Sequence, residues 1–110
     1  MNIILEAEAV QAVTGWDFSP EEAKDVGIRA VNLMRAYNIR SGVDRRLDKP
    51  SERYGSTPVD GPTKGVSIEP HWEKMLENYY NLMGWDVETG KPLPKTLKKL
   101  GLEYVINDLW

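Results

Sequence analysis

The sequence predicts an all-α protein, a small irregular domain of about four to five helices that spans residues 1–110 as a single domain. Three observations indicate this class. A strong helix start lies at Ser19–Glu22, an apolar stripe at helical spacing runs over Trp72–Met83, and a long polar loop separates the two. A chain of 110 residues, 41% of them hydrophobic, is long enough to bury one modest core.

Apolar residues at helical spacing predict a first helix near the start of the chain: Ile3, Ile4, Ala7, Val10 and Val13. Gly15 is expected to end it, because glycine readily adopts the left-handed conformation that closes many helices. The start of this helix shows no good capping residue. We therefore expect that a longer chain has been cut just upstream of Met1.

The second helix has the clearest start in the sequence. Ser19 is a preferred N-cap, Pro20 suits the first helical position, and Glu22 can complete a capping box while placing negative charge at the positive end of the helix dipole. The helix is predicted to run to about Tyr37.

One face of the second helix is predicted to be its core face: Ala23, Val26, Gly27, Ala30, Met34 and Tyr37. Ile28, Val31 and Leu33 make much of the remaining circumference apolar as well. Such a helix needs partners on more than one side. The other helices or another domain could supply them, and periodicity alone does not separate these alternatives.

The segment Asn38–Gly65 is predicted to be a long ordered loop, because Pro50, Pro58 and Pro62 prevent regular hydrogen bonding. Its candidate functional residues, which we call the arginine loop, are Asn38, Arg40, Asp44, Arg45, Arg46, Asp48 and Arg53. Alternating arginines and aspartates favour an ion-pair web over a flexible linker. We interpret this loop as an interdomain docking element in preference to a direct substrate contact, since arginine is common at interfaces.

Beyond the loop, Val66 and Ile68 suggest a short extended piece. A third major helix follows, with a stripe of Trp72, Met75, Leu76, Tyr79, Tyr80 and Met83, and Gly84 ends it. Asp86–Leu93 should form turns, Pro94–Leu100 a short helix, and Glu103–Leu109 another helical turn or two. Met34 and Trp72 are both expected in the core.

Composition excludes several kinds of function. A net charge of −3 provides no basic field for nucleic acid or an anionic membrane, and the N-terminal residues lack the pattern of a signal peptide, so the cytoplasm is the simplest location. With no cysteine there is no thiolate ligand or nucleophile. The single histidine, His71, has no accompanying metal-ligand or catalytic pattern. We expect no catalytic, cofactor-binding or metal-binding residue in this chain.

Several segments, taken in order, resemble the C-terminal domain of the tungsten-dependent aldehyde ferredoxin oxidoreductases. They are Thr14–Glu22, Asn32–Gly42, Gly61–Gly65, Met75–Tyr80, Gly84–Asp86 and Thr89–Pro92, together with Leu97 and Leu100–Leu102. Each segment alone is a weak signal, but their order along nearly the whole chain is specific. Arg45-Arg46-Leu47-Asp48 departs from the family's usual Arg-x-Asp-Asp, which leaves the subfamily open and includes the tungsten subunit of benzoyl-coenzyme A reductases.

The resemblance implies an enzyme that carries a tungsten bis-pterin and one [4Fe–4S] cluster, oxidises an aldehyde with water to a carboxylic acid, and passes electrons to ferredoxin. The family's cysteine motifs are absent here, and the last of them is expected shortly before Met1. The chain is therefore expected to be an inactive C-terminal piece that binds neither metal, packs on the remaining domains of its parent, helps to wall the substrate channel, and self-associates when isolated. The alternative is a stand-alone helical module for protein–protein interaction.

Overall fold

The computed structural model describes residues 2–110, in which six α-helices provide the regular structure. They are α1 (Ile3–Thr14), α2 (Pro20–Arg40), α3 (Glu52–Gly55), α4 (Trp72–Met83), α5 (Pro94–Lys99) and α6 (Ile106–Leu109). Short 3₁₀ turns cover Arg45–Leu47, Glu69–His71 and Glu103–Val105. Within the described residues there is no strand, only one isolated antiparallel bridge between Trp85 and Pro92. The predicted all-α class is confirmed.

The two N-terminal helices begin as local chemistry dictates. The Ser19 hydroxyl accepts a hydrogen bond from the Glu22 amide at 3.1 Å, and the Ser19 amide donates to the Glu22 carboxylate at 2.8 Å, so the predicted capping box is present. The expectation that α1 lacks a cap is wrong, because the Asn2 side chain accepts from the Ile4 amide at 3.1 Å. The helix α2 also runs three residues beyond the predicted end, to Arg40.

The buried apolar residues form two clusters. The first joins α2 to the C-terminal helices through Ala36, Leu97, Leu100, Leu102 and Leu109. The second consists of Leu76, Tyr80 and Trp85, with Trp72, Met83 and Val87 packed against it. Apart from Ala7, α1 buries none of its residues, so the clusters are built almost without it.

The buried face of α2 is opposite to the predicted one. Met34 and Tyr37 are each 66% exposed, whereas Asn32, Arg35 and Ala36 are buried. Burying an amide and a guanidinium is tolerated only where partners satisfy them, and α4, the arginine loop and the turn after α4 supply those partners. The prediction that Met34 belongs to the core is therefore wrong.

The stripe of α4 is divided between two faces. Leu76 and Tyr80 are buried and Trp72 is partly buried, as predicted, but Met75 and Tyr79 are 51% and 44% exposed. A helix this short has room for only one narrow contact with the rest of this chain, and the wider apolar arc remains on the surface.

The segment Asn38–Gly65 contains more structure than predicted, since α3 and the 3₁₀ turn Arg45–Leu47 lie within it. The expected extended piece at Val66 and Ile68 is not a strand. No helix in the described part of the chain is both long enough and apolar enough to cross a bilayer.

The fold is extended for its length. Its radius of gyration is 17.8 Å, whereas a compact chain of this length has about 13 Å. It exposes 8349 Å², whereas a monomer of this mass ordinarily exposes about 6,200 Å². Roughly 2,000 Å² more surface than usual is therefore open to solvent.

Candidate functional site

An ion pair between the buried Arg35 of α2 and the partly buried Asp48 of the arginine loop is the centre of the candidate site. The guanidinium of Arg35 donates to both carboxylate oxygens of Asp48, at 2.9 and 2.6 Å. Their side chains are 7% and 23% exposed. A forked arginine–carboxylate pair combines charge with fixed geometry, so it holds the loop against the helix.

Neighbouring elements satisfy the remaining polar atoms of the pair. Arg35 Nε donates to the carbonyl of Gly90 at 2.9 Å, and Trp72 Nε1 donates to the backbone carbonyl of Asp48 at 3.1 Å. The Tyr80 hydroxyl donates to the Asp48 carboxylate. Among the described residues, every buried side-chain nitrogen and oxygen has a partner. The network thus joins α2, the loop, α4 and the turn after α4.

Aromatic rings enclose the Arg35 guanidinium. Its central carbon lies 4.8 Å from the ring centroid of Trp85 and 5.7 Å from that of Tyr80. Trp85 in turn donates its indole N–H to the Asn32 side-chain oxygen at 2.9 Å, and Asn32 donates to the Ile28 carbonyl at 3.0 Å. These contacts explain why α2 turns a polar face inward.

Only two residues of the arginine loop, Asp48 and Arg45, contact this network. Arg45 donates to the Val87 carbonyl and to Glu73, and its guanidinium lies 5.5 Å from the Tyr80 ring centroid. The remaining predicted residues lie outside the network. Arg46 pairs with Asp44 at 2.6 Å, and Arg40 pairs with Asp108 at 3.4 Å. The guanidinium of Arg53 lies 5.9 Å from the centroid of the Tyr54 ring, and the Asn38 carbonyl accepts hydrogen bonds from the Ser41 and Val43 amides.

Sequence reasoning did not single out Arg35 and Tyr80 as site residues. Arg35 lies three residues after Asn32, and polar residues at this spacing share a helix face. That spacing was the available signal, but the stronger apolar face of the same helix outweighed it.

A cleft of about 590 Å³ opens beside the network. Aromatic and apolar side chains line most of it, including Trp72, Met75 and Tyr79, with the Arg35–Asp48 pair as its polar part. The donors of that pair are already engaged with protein partners, so the cleft offers shape and apolar surface more than free hydrogen-bonding groups.

Titration of the network follows from its contacts. Burial acts to raise the pKa of Asp48, but the hydrogen bonds from Arg35 and Tyr80 outweigh it, so the pKa lies below its ordinary value. Burial, followed by the hydrogen bond with Asp48, raises the pKa of Tyr80 to about 12. The Asp48 carboxylate is therefore charged, and Tyr80 neutral, across the physiological range.

Acid should destabilise the chain partly through Asp48. Because its pKa is lower in the folded than in the unfolded state, it contributes stability above about pH 4 that is lost as the pH falls through the folded value. We expect the urea concentration at half unfolding to decrease as the pH is lowered from about 5 to about 2, the range in which native carboxylates usually become protonated. In Asp48→Asn the fall should be shallower, with Asp44 and Asp86, whose pKa values are also lowered, accounting for the rest. Equal slopes for both proteins would contradict the assignment.

The fold and the site define an all-α domain fastened by a buried arginine–aspartate–tyrosine network. The chain belongs to the aldehyde ferredoxin oxidoreductase family, because the family model described as "Aldehyde ferredoxin oxidoreductase, domains 2 & 3" matches residues 1–102. The predicted resemblance is confirmed.

Similar proteins agree with this assignment. The tungsten-containing aldehyde ferredoxin oxidoreductase of Pyrococcus abyssi is 37% identical over 101 residues, and that of Pyrococcus horikoshii is 36% identical over 98 residues. The matches cover 90% and 87% of this chain and 16% of each relative. A solved structure described as the active site complex BamBC of benzoyl coenzyme A reductase with 1,5-dienoyl-CoA matches with a TM-score of 0.77, at 28% identity, over 98% of this chain and 15% of that one.

The residues of this chain do not fit the ligand set of the cofactors that the resemblance implies. Iron–sulfur clusters are held by cysteine thiolates, and the sequence has no cysteine. The described residues also contain no group of three histidine, aspartate or glutamate side chains that could hold a metal ion.

Proposed function

We propose that this chain is the C-terminal helical part of a tungsten-containing aldehyde ferredoxin oxidoreductase, where it packs on the cofactor domains and helps to wall the substrate channel. The enzyme would convert an aldehyde and water to a carboxylic acid and pass electrons to ferredoxin in the cytoplasm. Tungsten bis-pterin and one [4Fe–4S] cluster would be held by the other domains.

The family match carries this proposal. It covers residues 1–102, yet the chain spans only about 16% of the length of the curated relatives it matches. A segment that matches so little of each relative corresponds to one part of the enzyme. Because the segment has no cysteine, we assign it a structural role.

The shape of the chain supports a packed role. The surplus of about 2,000 Å² of exposed surface exceeds the roughly 800 Å² per partner of a standard interface. Exposed apolar residues are prominent on α1 and in the connection that follows it, among them Val13 at 86% and Trp16 at 67%. In the arginine loop, Arg46 and Arg40 keep side chains that are 89% and 63% exposed. Such arginines suit the polar rim of an interface.

Purification from the source organism tests the proposal. An affinity tag on this chain at its chromosomal locus should recover tungsten and iron in fixed ratio, measured by mass spectrometry of metals, together with aldehyde-dependent reduction of ferredoxin. A strain carrying the tag on an unrelated protein is the control. The 110-residue chain expressed alone should carry neither activity nor these metals, since it lacks thiolates.

Two outcomes would count against the proposal. Recovery of the tagged chain without tungsten, in a complex with a protein of another class, would favour the stand-alone interaction module. Aldehyde oxidation by the 110-residue chain alone would place chemistry in residues to which we assign only packing.

A further inference from the structure

The outer face of α2 is apolar over about three helical turns. Val26, Ala30, Met34 and Tyr37 follow one another at steps of four, four and three residues, so they share one side of the helix. Each of the four is exposed, Val26 at 50% and Met34 and Tyr37 at 66% each. None of them carries a charge. The opposite side of the same helix is the one buried in this chain, through Asn32, Arg35 and Ala36.

This arrangement inverts the usual pattern of a surface helix, which buries its apolar face and exposes its polar one. The inward face already uses its polar residues in the network with Asp48, Trp85 and Gly90. Rotating α2 to bury Met34 would break that network. The apolar face is therefore a fixed feature of the folded chain, directed away from its own core.

The neighbouring helix α1 also leaves most of its apolar residues exposed. Ile4 and Leu5 are 53% and 61% exposed, Val13 is 86% exposed, and the helix buries only Ala7. A helix of this length without an extensive buried face is marginally stable in water. It needs a further surface to hold it.

We infer that the outer face of α2, with α1 beside it, is the apolar centre of the contact with the cofactor-bearing part of the same tungsten enzyme, and that the exposed arginines of the loop form only its rim. This inference rests on the proposed function. The roughly 84% of each relative that lies outside the match provides the partner. The surplus surface of the whole chain, about 2,000 Å², leaves room for a standard interface of roughly 800 Å² per partner. Because the α2 face carries no charge, its occupant should have an apolar surface of its own.

A second copy of this chain is the competing occupant. An isologous dimer would place α2 against α2 and would satisfy the same apolar residues. The length of the relatives favours the other domains as the occupant. In a polypeptide several times longer than this chain, those domains are present at high effective concentration.

A pair of matched charge substitutions tests the inference in the tagged tungsten enzyme. Met34→Lys places an ammonium at the centre of the α2 face, and Leu82→Lys places one on α4, where the leucine is 86% exposed and outside the cleft. Because Met34 is outside both buried clusters, its replacement should leave the helical circular dichroism of the 110-residue chain unchanged. We expect Met34→Lys to lower the tungsten recovered per tagged chain about tenfold or more, as for a residue at an interface centre. Leu82→Lys and Arg46→Ala should stay within about twofold of the unmodified protein.

The outcomes separate this inference from the proposed function. No tungsten with the unmodified tagged chain overturns both. Tungsten retained by Met34→Lys at the unmodified level overturns the inference alone, and so does a loss confined to Leu82→Lys or Arg46→Ala. Sedimentation of the 110-residue chain supplies the last comparison. If Met34→Lys changes a dimer to a monomer while tungsten recovery is unaffected, the occupant is a second copy.

Discussion

Arg35→Met should lower the free energy of unfolding by about 3–5 kcal/mol, because removing one partner of a buried ion pair leaves the other charge uncompensated. Asp48 would keep its hydrogen bond from Tyr80 but lose both guanidinium donors, and the Gly90 carbonyl would lose its donor as well. Since domains of this size are stable by about 5–15 kcal/mol, the loss would be a large fraction of the total stability. Urea denaturation followed by circular dichroism measures the loss.

Arg40→Met is the matched control for this substitution. Arg40 is 63% exposed and its pair with Asp108 spans 3.4 Å, so its removal should cost at most about 1 kcal/mol. Arg35→Met combined with Asp48→Leu should recover part of the loss, since no unpaired charge remains. Similar losses for the two arginines would mean that the Arg35–Asp48 pair does not fasten the fold.

Gly90→Ala should have the second largest effect, about 3 kcal/mol or more. Gly90 has a φ of +71°, and a Cβ there would lie 2.2 Å from Arg35 Nη2 and 2.9 Å from the Tyr80 hydroxyl. The substitution therefore adds a steric displacement of the buried network to the cost of a left-handed residue, which is about 1–2 kcal/mol by itself. Thermal unfolding should show a clearly lower midpoint than for the unmodified chain.

Gly101→Ala separates the two contributions. Gly101 has nearly the same φ, +68°, but a Cβ there would meet nothing within 4 Å. It should lose only the backbone part, about 1–2 kcal/mol. Equal losses at both glycines would show that the network yields to the added methyl group and that the turn after α4 is not tightly held against it.

Local features of the fold could be predicted from the sequence because they depend on neighbours in the chain. The capping box at Ser19 is formed by residues three apart, and α4 ends at Gly84, whose φ of +68° suits glycine. The family segments are likewise runs of consecutive residues, so they indicate the family without any knowledge of long-range contacts.

The candidate site could be predicted only in part. The alternating arginines and aspartates of the loop point to Asp48 as an ion-pair residue, yet its partner is Arg35, thirteen residues earlier on a helix. The other members, Tyr80 and Gly90, lie 32 and 55 residues from the residues they contact. Periodicity carries no information about pairings at such separations.

The sequence by itself determined the all-α class, the main helix starts, the glycine-capped ends of α1 and α4, the absence of thiolate ligands and the family. Only the tertiary structure decided which side of α2 is buried. Hydrophobicity alone favours burying Met34, but the buried partners that α4 and the loop offer satisfy Asn32 and Arg35 instead. The hydrophobic pattern predicts that the more apolar face of a helix is buried, because burial of apolar surface is favourable. In the folded chain a polar face can be buried instead where other elements provide hydrogen-bond and ion-pair partners for its polar atoms.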